Sequence, residues 1–490
     1  MGESEPPAAL IEVLANAALT LLVIISAAAV TAHAILRKRD VRAAIGWVGL
    51  AWLVPLIGPA LYVLFGVNRI RRRASELRPP HRRPAVPRGE RNSNSTRLLE
   101  PIAAAGHRHL IALATLGDAI NPFPLTGGNA IAPLEGGLAA YREMLAAIEG
   151  ARHTLGMASY IFDDDESGRM FAEALAAAVA RGVAVRVLID GVGAQYSFPK
   201  SSRRLRRMGI PVAEFLPTFV PLHLPYGNLR NHRKLLVADG TLGFTGGMNV
   251  RGGYLRAPHR RHAVRDIHFR LEGPVVGHIA ATFAEDWAFC TGEVLDGADW
   301  FPAIAERGPV AARGIAAGPD EEEERLRLTL LGALARAERR VRILSPYFLP
   351  DAMLQASLVL AAMRGVEVEI LFPDQSNLHL VQWASRAQIG RLLPWGCRVW
   401  LTPPPFDHAK AMTVDGLWSL IGSANWDERS FRLNFEFCVE AFDAELATSI
   451  DAMIDARRAE ARLLTGPEIA ERPLAAKLRD GAAWLLSPYL

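Results

Sequence analysis

Three kinds of residue or motif are scarce in this 490-residue chain, and each scarcity removes a class of function. Only three cysteines occur (Cys290, Cys397 and Cys438), none in a C-x-x-C, so neither a disulfide framework nor a zinc site is expected. No glycine-rich phosphate loop or dinucleotide fingerprint is found, so nothing points to a bound nucleotide. Lysine is the third shortage, with five Lys against fifty Arg. Charge is also absent from two long stretches, 13–36 and 43–68.

As helices, the apolar cores of those stretches would reach about 36 and 34 Å, against a hydrocarbon layer of about 30 Å. A cleaved signal peptide fits poorly. The residues before the first stretch hold Glu3, Glu5 and Glu12 with no Lys or Arg, and a second apolar stretch follows at once. Two membrane helices are therefore expected, at about 13–36 and 43–65. Pro55 and Pro59 would allow the second to be kinked or re-entrant.

The net charge of +4 is concentrated beside these segments. Residues 69–97 hold ten Arg against Glu76 and Glu90, and 37–42 hold four cations against Asp40, which leaves residues 98–490 at −4. A nucleic-acid-binding body would carry the positive charge itself, so no nucleic-acid partner is expected. The basic belt instead suits anionic headgroups and favours a cytoplasmic body by the positive-inside bias.

Residues 74–97 are rich in Pro and Arg and read as an extended linker. Beyond them helices and strands alternate: helix 136–152, strand 153–162, helix 170–181 and strand 183–189. The same order returns as helix 325–339, strand 340–344, helix 352–364 and strand 366–372. The expected organisation is a membrane hairpin (1–73), a basic linker and entry segment (74–125), and two α/β halves (126–310 and 311–490). The repeat implies a duplicated α/β domain whose halves pack face to face.

One motif occurs in each half. His232 is followed by Lys234, Asp239, Gly246 and Asn249; His408 is followed by Lys410, Asp415, Gly422 and Asn425 at the same offsets. Residues i and i+2 of a strand share a face, so each His and its Lys point together. A neutral imidazole can attack phosphorus while a second protonates the leaving alkoxide. Two ammonium groups would neutralise the non-bridging oxygens, with Asn249 and Asn425 adding hydrogen bonds to the phosphate. A chain this poor in lysine that keeps it at both positions needs a compact cation there.

Each imidazole also needs a carboxylate to fix its tautomer. Asp266 is the candidate for His232 in the first half, and Glu436 for His408 in the second. Asp239 and Asp415 complete the motif and are counted with the catalytic set on that ground. Their offset of seven, odd for a strand, points away from the site and toward holding turns. His259, His262 and His268 lack the spacing of metal ligands.

Two H-x-K-x4-D-x6-G copies make the chain resemble the phospholipase D superfamily, and within it the bacterial cardiolipin synthases. The similarity extends to Tyr160-Ile-Phe-Asp-Asp164, Asn228-Leu-Arg-Asn-His-Arg-Lys234, Thr245-Gly-Gly-Met-Asn249, Leu271-Glu-Gly-Pro274, Ser345-Pro-Tyr-Phe-Leu-Pro350 and Trp383-Ala-Ser-Arg386. The resemblance implies duplicated phospholipase D-type α/β/α sandwich domains with a pseudo-twofold relation, preceded by two transmembrane helices. It implies phosphatidyl transfer from one phosphatidylglycerol to another through a phosphohistidine, with glycerol released. By the same resemblance His232 is the nucleophile and His408 the acid/base, roles that the symmetric motifs do not separate. No metal, organic cofactor or protein partner is implied; the partners are anionic phospholipids and the bacterial inner membrane. Pro403-Pro-Pro-Phe-Asp407 departs from the pattern beside His408. A membrane-anchored phospholipase D that uses water would carry the same residues. A phosphatidylserine synthase, a nuclease and a non-catalytic lipid-binding scaffold are the remaining alternatives.

Overall fold

The structure, a computed structural model, describes residues 8–38, 41–66, 88–197, 200–217, 229–257, 259–319 and 324–487. Most of the basic belt and the first part of the linker lie outside these residues. The chain divides into two compact units: Met1–Arg73 with Leu224–Tyr226, and the remainder, Ala74–His223 with Gly227–Leu490.

Among the described residues of the N-terminal unit one helix is long and apolar enough to cross a membrane, Ile11–Arg37 within the 30-residue helix Ala8–Arg37, and only 11% of its apolar window is buried. A core helix of a soluble protein would be covered. The second expected span is not a single helix. It stops after Val41–Leu53, resumes as the five-residue helix Ile57–Leu61, and Leu56 between them has φ 63°. Pro55 is the cause, because its ring cannot continue the helical ladder. Thirteen residues reach only about 20 Å. Small side chains let the segments approach: Ala27, Val30, Ala34 and Ala51 are buried together with Tyr62, and Trp52 Nε1 donates to Thr31 Oγ1 at 3.0 Å.

In the other unit, Arg88–Ile102 is a helix where an extended linker was expected as far as residue 97. Leu99 is buried in the core with Leu98 and Ile102 packed against it, so tertiary burial outweighs the weak helix propensity of the Ser/Asn run. A second helix, Ile111–Ile120, adds Leu113 and Ala114 to the same core. That core belongs to residues 310–464, so the entry segment packs on the second half of the chain rather than the first.

The strand order reads alike from both ends of one sheet. Outward from Thr126–Glu135 come Ile267–Glu272, Leu242–Gly246, Leu235–Ala238, Thr154–Ser159, Ala184–Asp190 and Val212–Phe215. Outward from Val310–Ala317 come Asn434–Phe442, Trp418–Gly422, Ala411–Val414, Arg340–Leu344, Glu367–Pro373 and Arg398–Thr402. In both series the first four pairings are antiparallel and the last two parallel. Thr126–Glu135 and Val310–Ala317 pair with each other and join the series. The parallel strands are connected by helices Glu166–Ala180 and Ala352–Met363. These begin at equivalent Asp caps: Asp165 accepts from Gly168 N–H at 3.1 Å, and Asp351 from Met353 N–H at 2.8 Å.

A buried ion cluster fastens the entry segment to this join. Arg313 donates to Asp118 at 2.5 Å and to Glu440 at 2.6 Å, with all three side chains fully enclosed. Asp118→Ala should leave the guanidinium under-neutralised and lower stability by about 3 kcal/mol, read as a fall in the thermal midpoint in detergent.

Candidate active site

The two motif copies meet because each pairs with the other half. Arg230–Asn231 runs parallel to Asn434–Phe442, and His232 N–H donates to Phe435 O at 2.9 Å. Phe406–Asp407 runs parallel to Val264–Arg265, and His408 N–H donates to Arg265 O at 2.7 Å. Each imidazole is thereby set beside the carboxylate next in sequence to the residue that accepts from its backbone N–H. His232 Nδ1 lies 3.0 Å from both oxygens of Glu436, and His408 Nδ1 lies 2.9 Å from Asp266 Oδ2. Asp266 and Glu436 thus both touch a motif imidazole, but the expected pairing within each half is exchanged. The cause is the strand pairing between halves, which sequence order does not reveal.

Both imidazoles and both motif lysines are buried. Burial pushes the His232 imidazole down to about 4, against the opposing pull of Glu436. Burial lowers His408 too, and Lys410, Lys234 and His232 lower it further. Lys234 is depressed by burial and Lys410 is brought by burial to about 8, although Asp266 and Glu436 favour its charged form. Lys410 also bears on His232 and Lys234, so the four side chains share one electrostatic field. A phosphodiester would add negative charge beside these buried groups and favour their protonated forms.

The lysines are aimed by their own motifs, Lys234 Nζ donating to His232 O at 2.6 Å and Lys410 Nζ to His408 O. Asn249 Oδ1 accepts from Ile161 N–H at 3.0 Å, and the same side chain is hydrogen-bonded to Tyr254. Asn425 lines a small cavity together with Lys410, Gly422 and Trp426.

Asp239 and Asp415 stand apart from this chemistry, which corrects their place in the catalytic set. Asp239 accepts from the N–H groups of Arg152, His153 and Thr154, and Asp415 from those of Glu338, Arg339 and Arg340. Both have positive φ (49° and 54°) at the hairpin after the motif strand, so they hold turns. Asp415→Ala should lower stability by about 2 kcal/mol by stripping acceptors from three buried or half-buried donors. Turnover per folded molecule should stay within a few-fold of the parent, as a kinetic assay beside a melting curve would show.

Sequence reasoning missed several neighbours. The Tyr160 ring meets His232 edge-on at 5.1 Å and takes Lys234 Nζ at 5.4 Å, while Tyr347 meets His408 at 6.4 Å. Each follows the second strand of its series in chain order, Thr154–Ser159 or Arg340–Leu344, so alignment of the halves would have found the pair. Arg233, fully buried beside the first motif His, donates to Glu436 O at 3.0 Å and to Asp286 at 2.5 Å. Its counterpart Ala409 has no such reach, and no motif signals it. His268 is buried against Gly246 with neither ring nitrogen hydrogen-bonded, and burial followed by Lys234 pushes it down to about 3.

Comparison with known proteins gives concordant results. The family described as cardiolipin synthase, phospholipase D-like domain, matches residues 144–287 and 330–458. Cardiolipin synthase A of Pseudomonas entomophila is 33% identical over 461 residues, covering 94% of this chain and 95% of that one. The major cardiolipin synthase of Bacillus subtilis is 31% identical, covering 92% and 95%. Among solved structures, a phosphatidylserine synthase from Haemophilus influenzae superposes with a TM-score of 0.58 over 77% of this chain and 100% of its own. At 14% identity that likeness concerns the fold alone.

Proposed function

We propose that this chain, which belongs to the cardiolipin synthase family with phospholipase D-like domains, transfers a phosphatidyl group from one phosphatidylglycerol to another. The observation that carries the reading is the crossed pairing of His232 with Glu436 and His408 with Asp266 around one pair of ammonium groups. In the first step the lone pair of one imidazole Nε2 attacks phosphorus. The bond to the glycerol oxygen breaks, and the second imidazole gives that oxygen its proton. In the second step the hydroxyl of the acceptor lipid yields its proton to the second imidazole, and its oxygen attacks phosphorus as the phosphorus–nitrogen bond breaks. No redox change or metal is needed to balance either step. Lys234 and Lys410 face the non-bridging oxygens, where charge builds in the transition state.

His232 is taken as the nucleophile, and the repeated strand order is taken as a duplicated sandwich with pseudo-twofold symmetry. The first helix is proposed to span the inner membrane, with the broken second segment returning toward the same side. That course puts the cations of 37–42 and the basic belt on one face and keeps the body cytoplasmic. The charge of −4 on residues 98–490 disfavours a nuclease.

Because burial lowers Lys410 to about 8, kcat/KM for phosphatidylglycerol should fall as pH rises through about 8. A profile that stays flat to pH 10 would show that this ammonium is not needed in its charged form. The reaction itself is tested by mass spectrometry of lipids after incubating the purified protein with phosphatidylglycerol vesicles. Diphosphatidylglycerol with an equivalent of glycerol is expected. Phosphatidic acid with glycerol would mean hydrolysis instead.

A further inference from the structure

The halves are not symmetric around their imidazoles, and the difference lies one residue past the motif glycine. That position, fifteen residues after each His, is Ser423 in the second half and Gly247 in the first. Ser423 Oγ donates to Glu436 Oε2 at 2.5 Å while it accepts from Phe437 N–H at 3.0 Å, and Asn434 Nδ2 donates to Glu436 Oε1 at 3.0 Å. Glu436 is therefore gripped on both oxygens before His232 is considered. At the other carboxylate a serine has no room: a Cβ on Gly247 would lie 2.3 Å from Asp266 Oδ1. The polar contacts of Asp266 are Ile267 N–H at 2.8 Å and His408.

The second asymmetry is in what each Nδ1 meets. His232 Nδ1 faces only the two oxygens of Glu436, so it must hold its proton there, and Nε2 keeps its lone pair. His408 Nδ1 lies 2.9 Å from Asp266, 3.0 Å from Lys410 Nζ and 3.4 Å from Tyr254 OH. It can donate to the carboxylate or accept from the ammonium, but not both at once. One ring has a fixed tautomer and the other a movable one. A nucleophile needs the first condition and a proton carrier the second.

We propose that Ser423, supported by Asn434, is a positioning residue that holds Glu436 as an acceptor-only carboxylate and so commits His232 to the nucleophilic tautomer. The electrostatics agree in direction: burial raises Glu436, but His232, Lys234 and the Ser423 hydroxyl bring it below its ordinary value. Burial raises Asp266 to about 8. This inference rests on the two-imidazole reading above, and the test separates the two.

Ser423→Ala removes one donor from the carboxylate and leaves the His, Lys and Asn side chains in place. Its loss should make Glu436 easier to protonate, so the acidic limb of the kcat profile should move up by about one pH unit. At its optimum kcat should drop about tenfold with KM little changed, because the effect is on the reacting imidazole rather than on lipid binding. Asn434→Ala should shift the limb the same way, and Ser423→Thr should restore it. Acid-quenched wild-type protein should carry a phosphatidyl adduct on the peptide containing His232. Absence of that adduct in the wild type would overturn the two-imidazole reading and this inference with it. An adduct in the wild type, together with Ser423→Ala and Asn434→Ala profiles that overlay it, would overturn this inference alone.

Discussion

His232→Ala should reduce cardiolipin formation by about four orders of magnitude or more, the loss seen when the nucleophile of a coupled catalytic pair is removed. The protein should still fold and bind vesicles, because the side chain lies at the site and its backbone N–H keeps its bond to Phe435 O. The loss should appear in kcat, with lipid binding and KM nearly unchanged. Activity within tenfold of the parent would mean that some other group attacks phosphorus.

Glu436→Gln should have the second largest effect, about 10³-fold or more in kcat. The amide is nearly isosteric with the carboxylate but presents an N–H₂ where His232 Nδ1–H requires an acceptor, which favours the wrong tautomer. The change would also leave Ser423 and Asn434 without their anionic acceptor. Asp266→Asn should be milder, since His408 Nδ1 retains Lys410 and Tyr254 within reach. The order of severity therefore tests the exchange of carboxylates between halves. If Asp266→Asn silenced nucleophilic attack while Glu436→Gln spared it, the pairing seen here would not be the working one. Both variants should be compared at their own pH optima, because the carboxylates also set the protonation of the rings.

The sequence made much of this legible because the site is built twice. Matched offsets from His to Lys, Asp, Gly and Asn identify the machinery, and the α/β alternation on either side anticipates helices such as Gly136–Gly150 and Arg325–Arg336. The odd offset of Asp239 and Asp415 already indicated turns, and the positive φ at both bears this out. What could not be read was anything that depends on pairing between the halves. The segment around His232 lies beside a strand some two hundred residues away, and no local pattern states that Glu436 rather than Asp266 will face it. Arg233 was invisible for the same reason, since it bonds Glu436 O of the other half, and Ser423 because its contact with Glu436 depends on the pairing of two neighbouring strands. Pro55 and Pro59 marked the second apolar stretch as open to a kink, and the helix stops at Leu53 before Pro55, but hydropathy alone does not say where the break falls.

On the proposed mechanism one imidazole holds the phosphatidyl group while the other handles protons. A phosphatidyl ester of p-nitrophenol tests it directly, because its leaving group departs without a proton. His408→Ala should release one equivalent of p-nitrophenolate in a burst and then stall, with the lipid phosphate recovered on the peptide containing His232, while His232→Ala shows no burst. A burst in His232→Ala, or an adduct on any other residue, would contradict the account.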